Sequence, residues 1–309
     1  MISVIIPLYN KAASIGQTLR TVLGQTFQDF EVVVVDDGST DGGADVVRAV
    51  DDARIRLISQ PNAGVSAARN RGVSEARGEF VAFLDADDLW RPTYLETQFA
   101  LTCKYPNCAV FATNYEFHDA KGCVTPTILR RLPFTGEDGI LSNYFEVASC
   151  SHPPLWTSAV IVRREAVEAI GGFPVGVTLG EDLLTWARLA CHESIAFSRK
   201  VEANYIFRTQ KQLVTPRRPP DKTDVVGQAL GELCERHKAV KWLPEYVALW
   251  HKMRMVTFVR LGMRREASYE YARIRQYTRP EKKVIYWRIL NALPRAVIRF
   301  LLFQIAKIR

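Results

Sequence analysis

Over residues 1–110, runs of apolar, strand-type residues alternate with stretches whose apolar positions recur every three or four places. SVIIPLY (3–9) predicts a strand, and Ile15, Leu19, Val22 and Leu23 give 12–25 one helical face. FEVVVVDDGS (30–39) holds an unbroken apolar run, the pattern of a strand covered on both faces. A helix over 41–50, a strand at IRLISQ (55–60), a helix over 64–77 and a strand at EFVAFLD (79–85) follow. This β-α-β-α-β-α-β order predicts an α/β fold with an open, mainly parallel sheet flanked by helices. Such sheets bind ligands in the crevice beyond the carboxyl ends of their strands. Those ends carry Tyr9-Asn10, Asp36-Asp37 and Asp85-Ala86-Asp87-Asp88, so three polar clusters point at one rim.

Further along, the pattern predicts a helix over 93–104 and a strand over 108–117. A loop-rich stretch containing Pro133, Gly136, Gly139, Pro153 and Pro154 follows. A strand over 157–164, a short helix in EAVEAIGGF closed by Gly171-Gly172, and a helix over 181–192 come next. TPRRPPD (215–221) has the composition of a linker. Beyond it the spacing is helical: 222–240, 244–262 with Pro244 in the first turn, 264–277, and 281–305 with a kink at Pro294. The chain thus divides into an α/β part, 1–214, whose first 110 residues hold the polar rim, and a helical part, 215–309.

Composition adds little to the fold but sharpens this division. With 48% hydrophobic and 24% charged residues, the chain of 309 is globular, not disordered. Its net charge of +8 is uneven: residues 215–309 hold 21 Lys and Arg against 8 Asp and Glu, whereas residues 1–214 hold 20 against 25. An acidic body with a basic tail suggests two tasks on one chain. Cys103, Cys108, Cys123, Cys150, Cys191 and Cys234 form no CxxC pair and no zinc-type spacing, and they read as thiols in a reducing compartment. MISVIIPLYN has no basic lead or cleavage site, and no window reaches about 18 uncharged apolar residues. The expectation is a cytoplasmic protein without membrane spans. The basic tail matches no DNA- or RNA-binding motif, so nucleic acid is not an expected partner.

The rim carries the chemistry. Asp85 and Asp87, spaced i and i+2, leave an extended backbone on the same side, where two like charges repel. A hard divalent cation relieves that repulsion, and Mg²⁺ or Mn²⁺ takes one or two carboxylates while phosphate and water complete its shell. Equally, the acids could form a solvated turn or cap the helix that follows. Asp36 and Asp37 could accept from a ribose hydroxyl or a base N–H, yet Asp37-Gly38-Ser39 is also ordinary turn chemistry. The turn after the first strand, PLYNKAAS, lacks the glycines of a dinucleotide fold. In PNAGVSAARNRG (61–72), Asn62 belongs to a turn, and Arg69 lies one helical turn past Val65, placed to meet a diphosphate or base. Glu181 and Asp182 open a helix, where acids suit the dipole; a carboxylate there can also act as a general base.

In this order, SVIIPLYN, VVVVDDGSTD, PNAGVSAARNRG, FVAFLDADD, WTSAVIVRRE, IGGFP and GEDLLTWARLA resemble the inverting family 2 glycosyltransferases with the GT-A fold. The resemblance covers about 1–210. It implies a nucleotide-sugar donor, bound by 1–110 with the acceptor on 111–214, a Mn²⁺ or Mg²⁺ cofactor, and inversion at the anomeric carbon. Residue by residue, it implies that Pro7, Tyr9 and Asn10 border the nucleotide and that Asp37 reads the base, most often uracil. Arg69 would contact base or phosphate, Asp85 would face the ribose beside the metal, and Asp87 would ligate the metal directly. Asp88 would assist or cap. Asp182 would be the catalytic base with Glu181 in support, and Trp156 and His152 would lie on the acceptor side, although a core tryptophan and a loop histidine explain them equally.

Two departures refine this. The polymer-making branch carries a QxxRW motif and membrane spans, and neither occurs here, so the resemblance points to addition of one or a few sugars. Many relatives place a histidine near the end of the catalytic domain; here the stretch is YIFRTQKQ, leaving Arg208 as the alternative partner for phosphate. Two rivals remain: a phosphatase of the haloacid dehalogenase class, whose site also opens with an apolar strand and DxD, and a non-catalytic nucleotide-binding scaffold. In the tail, Ile285, Ile289, Leu293, Val297, Phe300, Leu301 and Ile305 follow helical spacing among Arg288, Arg295, Arg299, Lys307 and Arg309. Residues 281–309 would suit either an anionic membrane surface, with a lipid-linked or glycan acceptor, or packing against the domain or a second subunit.

Overall fold

A computed structural model describes residues 1–207, 220–221, 223–294 and 297–298. The chain separates into two compact units, residues 1–208 and 209–309.

In the first unit, β1 (Ile2–Leu8), β2 (Phe30–Asp36), β3 (Ile55–Ser59) and β4 (Phe80–Phe83) alternate with α1 (Ala12–Leu23), α2 (Gly43–Arg48) and α3 (Val65–Glu75). β1 pairs in parallel with both β2 and β4, and β2 with β3. Every residue of β2 is buried, as its unbroken apolar run requires. Gly72 lets α3 lie close on β1, because a Cβ there would meet Ile5 Cγ2 at 2.3 Å.

The strand order β3-β2-β1-β4 reverses direction between β1 and β4. That reversal opens the crevice in which such sheets bind ligands. Leu8 stands level with Asp36, whereas β4 ends at Phe83, level with Ile5. The chain leaving β4 therefore starts deep in the crevice.

The sheet continues through shorter elements: β5 (Leu89–Trp90), α4 (Tyr94–Lys104), β6 (Val110–Asp119), β7 (Val124–Pro126), β8 (Asp138–Ile140), α5 (Tyr144–Cys150), β9 (Val160–Arg163), α6 (Arg164–Ala169), α7 (Glu181–His192) and β10 (Ile195–Phe207). β9 runs antiparallel to both β4 and β6, and β6 pairs in parallel with β10, so the sheet is mixed. Several elements were not expected from the sequence, β7 among them. The stretch read as loop contains β8 and α5, and β10 carries no simple alternation because its register shifts twice between Ser198 and Ala203.

The second unit is helical: α8 (Val225–Arg236), α9 (Leu243–Leu261), α10 (Arg264–Tyr277) and α11 (Lys282–Ala292). Its core joins Met255, Phe258, Val259, Ile274, Val284 and Leu290. The last helix is broken ahead of Pro294: helical residues resume at 297–298, where Ile298 N–H donates to the Pro294 carbonyl at 3.1 Å, and 295–296 and 299–309 lie outside the described residues. α11 stops at Ala292, and Leu293 is extended, as a residue before proline prefers. Among the described residues, no helix is long and apolar enough to cross a membrane.

Candidate active site

The rim is assembled by hydrogen bonds between strand ends. Asn10 adopts a left-handed conformation (φ 51°). Its backbone N–H donates to Ser39 Oγ at 3.1 Å, and its side-chain oxygen accepts from Thr40 N–H at 2.9 Å. Tyr9 beside it is exposed, and Pro7 is partly buried in β1. Asp36 holds the turn after β2 by accepting from Ser39 N–H at 3.0 Å. Asp37 is buried, and its carboxylate accepts from the Gln60 side chain (2.7 Å), Ala63 N–H (2.9 Å) and Gly64 N–H (2.9 Å). Asn62 donates its side-chain amide to the Asp37 carbonyl at 3.0 Å. A carboxylate offers about four acceptor positions, so Asp37 organises the loop into α3 and keeps one.

The chain then leaves β4 into a tight acidic turn, closed by Asp88 N–H donating to the Asp85 carbonyl at 3.0 Å. Ser158, in a 3₁₀ turn before β9, fastens this turn from below: its Oγ accepts from Asp85 N–H at 3.1 Å and donates to Asp88 Oδ2 at 2.6 Å. Asp88 Oδ1 also accepts from Ile206 N–H of β10 at 3.2 Å. Only 1% exposed, Asp88 is a buried anchor of the turn. Burial, with the charges of Asp85 and Asp87, pushes its carboxyl well above the usual carboxylate range against the pull of Ser158 and Ile206.

Asp85 and Asp87 remain partly open, with side chains 33% and 29% exposed. Asp85 Oδ1 accepts from Arg69 at 2.8 Å, and Asp87 Oδ2 pairs with the Lys11 ammonium. Two cations of the chain itself thus relieve the crowding of like charge that the sequence shows. Arg69 is not at the open rim. It lies buried beneath the carboxylates and over the Phe173 ring, and also reaches Glu181 Oε1 at 3.3 Å. Burial disfavours its charge, but Asp85 and Glu181 more than compensate and raise its pKa.

Arg69 thereby ties the acidic turn to the start of α7. Gly180 at φ 84° turns the chain into that helix, and both Glu181 and Asp182 are partly buried. Burial raises the Asp182 carboxyl, Asp85 adds to the rise, and Arg69 and the Leu183 N–H (2.7 Å) oppose it. Burial and the neighbouring Asp182 raise Glu181 in the same way.

An aromatic wall lies beside the acids. Trp156 packs against Tyr115 and Tyr205 with ring centroids 4.6 and 5.4 Å apart, and Phe117 meets Tyr205 and His152 at 5.8 and 5.1 Å. Burial raises the Tyr205 hydroxyl pKa, and so do Asp88, Asp87 and Asp85. Burial and Asp182 do the same to Tyr115. His152 accepts from Ile128 N–H through Nδ1 at 2.9 Å, which makes it part of the loop's own scaffold.

The expected residues therefore converge in two groups: Tyr9, Asn10, Asp36, Asp37 and Asn62 around the β1 and β2 ends, and Arg69, Asp85, Asp87, Glu181 and Asp182 in one linked cluster. Sequence reasoning missed Lys11, Ser158, Gln60, Tyr115 and Tyr205. Lys11 directly follows the Tyr9-Asn10 pair, and the excess of acids at the strand ends was the available signal that a nearby cation was needed. Arg208 lies outside the described residues. Asp85 and Asp87 each use one oxygen on a cation of the chain, and two such hard donors, two residues apart, fit Mg²⁺ or Mn²⁺.

Several known proteins are similar to this chain. A putative teichuronic acid biosynthesis glycosyltransferase of Bacillus subtilis, TuaG, is 38% identical over 192 residues, which cover 61% of this chain and 71% of that protein. A glycosyltransferase of Rickettsia conorii is 31% identical over 196 residues, and the match spans only 31% of that longer relative. Among solved structures, S. aureus TarS (residues 1–349) with UDP-GlcNAc superposes with a TM-score of 0.70 at 19% identity, covering 94% of this chain and 88% of that one. The Pyrobaculum calidifontis mannosyltransferase PcManGT, with GDP-Man and Mn²⁺, gives 0.56 at 20% identity, covering 94% and 84%. These likenesses establish the GT-A fold, and a sugar-transfer family sets the phosphatase reading aside. The glycosyl transferase family 2 model matches residues 3–171, more than half of the sequence, and the chain belongs to that family.

Proposed function

We propose that the chain transfers a sugar from a nucleoside-diphosphate donor, UDP-linked in the first instance, to a hydroxyl of a glycan or lipid-linked acceptor, with inversion at the anomeric carbon. The observation that carries this reading is Arg69, clasped between Asp85 and Glu181, which joins the acidic turn after β4 to the start of α7. Asp37 and the loop it organises border the base, Tyr9 and Asn10 lie along the nucleotide, and Asp85 faces the ribose. A Mn²⁺ or Mg²⁺ ion held by Asp87 with Asp85 would supply positive charge to the departing diphosphate.

Asp182 does the proton chemistry. The acceptor oxygen forms its bond to the sugar C1 as the bond from C1 to the diphosphate oxygen breaks, and Asp182 takes the hydroxyl proton. Its raised pKa suits a base that must hold that proton and later release it. The aromatic wall of Tyr115, Trp156 and Tyr205 offers ring faces to the acceptor. A thermal-shift panel of UDP-, GDP- and dTDP-sugars, with and without Mn²⁺, tests the donor half. Stabilisation by UDP-sugars only with metal is expected, and at about 100 times Kd it amounts to roughly 2.7 kcal/mol. Equal stabilisation by all three, or by none, overturns it.

One observation favours an acceptor presented at a membrane. α11 turns Ile285, Tyr286 and Ile289 outward, with exposed Lys282, Lys283 and Arg288 around them, while Val284 and Leu290 face the core. An exposed apolar stripe edged with basic residues fits an anionic lipid surface. TuaG, named for teichuronic acid biosynthesis, lends the same support to a surface-polymer substrate. In flotation with anionic vesicles, Ile285→Glu/Ile289→Glu should stay in the bottom fraction while the wild-type chain floats; co-flotation of the variant overturns the membrane reading.

A further inference from the structure

Asp87 is the carboxylate that the proposed reaction needs for a divalent ion, and it already faces a cation. Lys11 stands just before α1, directly after Asn10, and its ammonium pairs with Asp87 Oδ2 across 76 positions of sequence. The fold, not local spacing, makes this pair.

Arg69 and Lys11 are built differently. The Arg69 side chain is 4% exposed and held by two acids, whereas that of Lys11 is 38% exposed. An ammonium on a four-carbon stem can swing between partners; a buried, forked guanidinium cannot. Arg69 is a fixed part of the site, and Lys11 is a removable one.

Charge arithmetic gives that difference a purpose. Arg69 and Lys11 face three carboxylates, Asp85, Asp87 and Glu181. A divalent ion alone adds two positive charges beside Lys11, and a diphosphate diester alone adds about two negative charges beside the acids. Together they leave the balance unchanged.

Resting on the proposed donor and metal, we propose that Lys11 is an exchangeable counter-ion of this site. It pairs with Asp87 in the ligand-free protein, yields that carboxylate to the divalent ion as the donor arrives, and donates instead to the donor's diphosphate. Metal and nucleotide then bind far better together than apart, because each supplies the charge the other requires and Lys11 changes partner between them.

The test measures binding, not turnover, on the full chain. Free Mn²⁺ is titrated by electron paramagnetic resonance without nucleotide, and UDP is titrated calorimetrically at saturating Mn²⁺. In Lys11→Met, Mn²⁺ alone should bind about tenfold tighter, since its competitor is gone, and UDP about tenfold weaker, since a charge-assisted partner is lost. Lys11→Arg keeps the cation and should hold Mn²⁺ affinity within roughly threefold of wild type. A circular-dichroism melt confirms that each variant folds. If Lys11→Met binds Mn²⁺ no better than wild type while Asp87→Ala abolishes Mn²⁺ binding, the metal site stands and the exchange role falls. If the wild-type chain binds no Mn²⁺ with or without UDP, the metal reading falls and the exchange with it.

Discussion

The acidic turn of residues 1–208 has a counterpart in residues 209–309. There, Asp224, His251 and Glu270 bring ligand-type atoms within 4.8 Å of one another, with Arg254 among them. Both clusters pair carboxylates with basic side chains, yet they are built for different ends. Around Asp224 the side chains are buried and paired with one another, with only His251 Nε2 of the cluster lacking a hydrogen-bond partner. His251 Nδ1 meets Glu270 Oε2 at 2.7 Å, Arg254 Nε reaches Glu270 Oε1 at 2.7 Å, and Trp250 Nε1 donates to Asp224 Oδ1 at 3.0 Å. Asp224 also caps α8 by accepting from Gly227 N–H at 2.9 Å. The four side chains of that cluster are 1–9% exposed, and the 2.7 Å contacts are hydrogen bonds between them. A cluster of acids becomes a binding site only where a partner can leave and solvent can enter. The Lys11–Asp87 pair meets that condition, and the Arg254–Glu270 pair does not.

The comparison breaks most sharply under Asp182→Asn. Removing the proposed base should lower kcat by about 10²–10⁴-fold while UDP-sugar affinity stays within roughly threefold, because the proposed donor contacts lie elsewhere in the cluster. Since burial raises the Asp182 pKa, the wild-type rate should fall with acid on a limb above the ordinary aspartate value of about 3.9. The base works only as the carboxylate, so loss comes as pH drops through the raised value, and the residual rate of Asp182→Asn should lack that limb. Near-wild-type turnover in the variant would remove Asp182 from the proton transfer.

In the closed cluster, Arg254→Met should act on stability instead. It leaves Glu270 and Asp224 buried without their cation, a loss of about 3–5 kcal/mol for a broken buried pair. Urea unfolding of the full chain reads this, and UDP binding at low temperature should persist, because the proposed donor residues belong to the other unit. A loss below about 1 kcal/mol would mean that water reaches those carboxylates and that the two clusters are more alike than their exposures indicate.

What the sequence disclosed follows from the same distinction between local pattern and long-range pairing. β1, β2 and β4 were legible because strands buried on both faces need unbroken apolar runs, and the acids at their ends stand out against Val32–Val35 and Phe80–Phe83. β10 was not, since SRKVEANYIF mixes polar and apolar residues across two register shifts. α5 was hidden in a seven-residue span among prolines and glycines. Asp85, Asp87, Glu181 and Asp182 were legible as acids in place, but their wiring was not. Arg69 looked like a rim cation and lies buried beneath them, and Lys11 had no motif of its own. Ser158 is an ordinary serine until the fold sets it under the acidic turn.

Asp88 sits between the two kinds of cluster, buried like Glu270 but beside the open acids. Its folded pKa is raised, so the folded state holds the proton more tightly than the unfolded chain does. Stability then declines as pH rises from the ordinary aspartate value toward the raised one. Asparagine keeps the shape and the acceptor for Ile206 N–H but has no proton to lose. Asp88→Asn should therefore match the wild-type melting temperature near pH 4 and exceed it near pH 8, where the wild-type chain carries the cost of the buried charge. Calorimetric scans at the two pH values measure the difference. A variant that melts below wild type at both would show that the hydrogen bond Ser158 donates to Asp88, which asparagine can only replace by donating its own amide to Ser158, outweighs the cost of burying the charge.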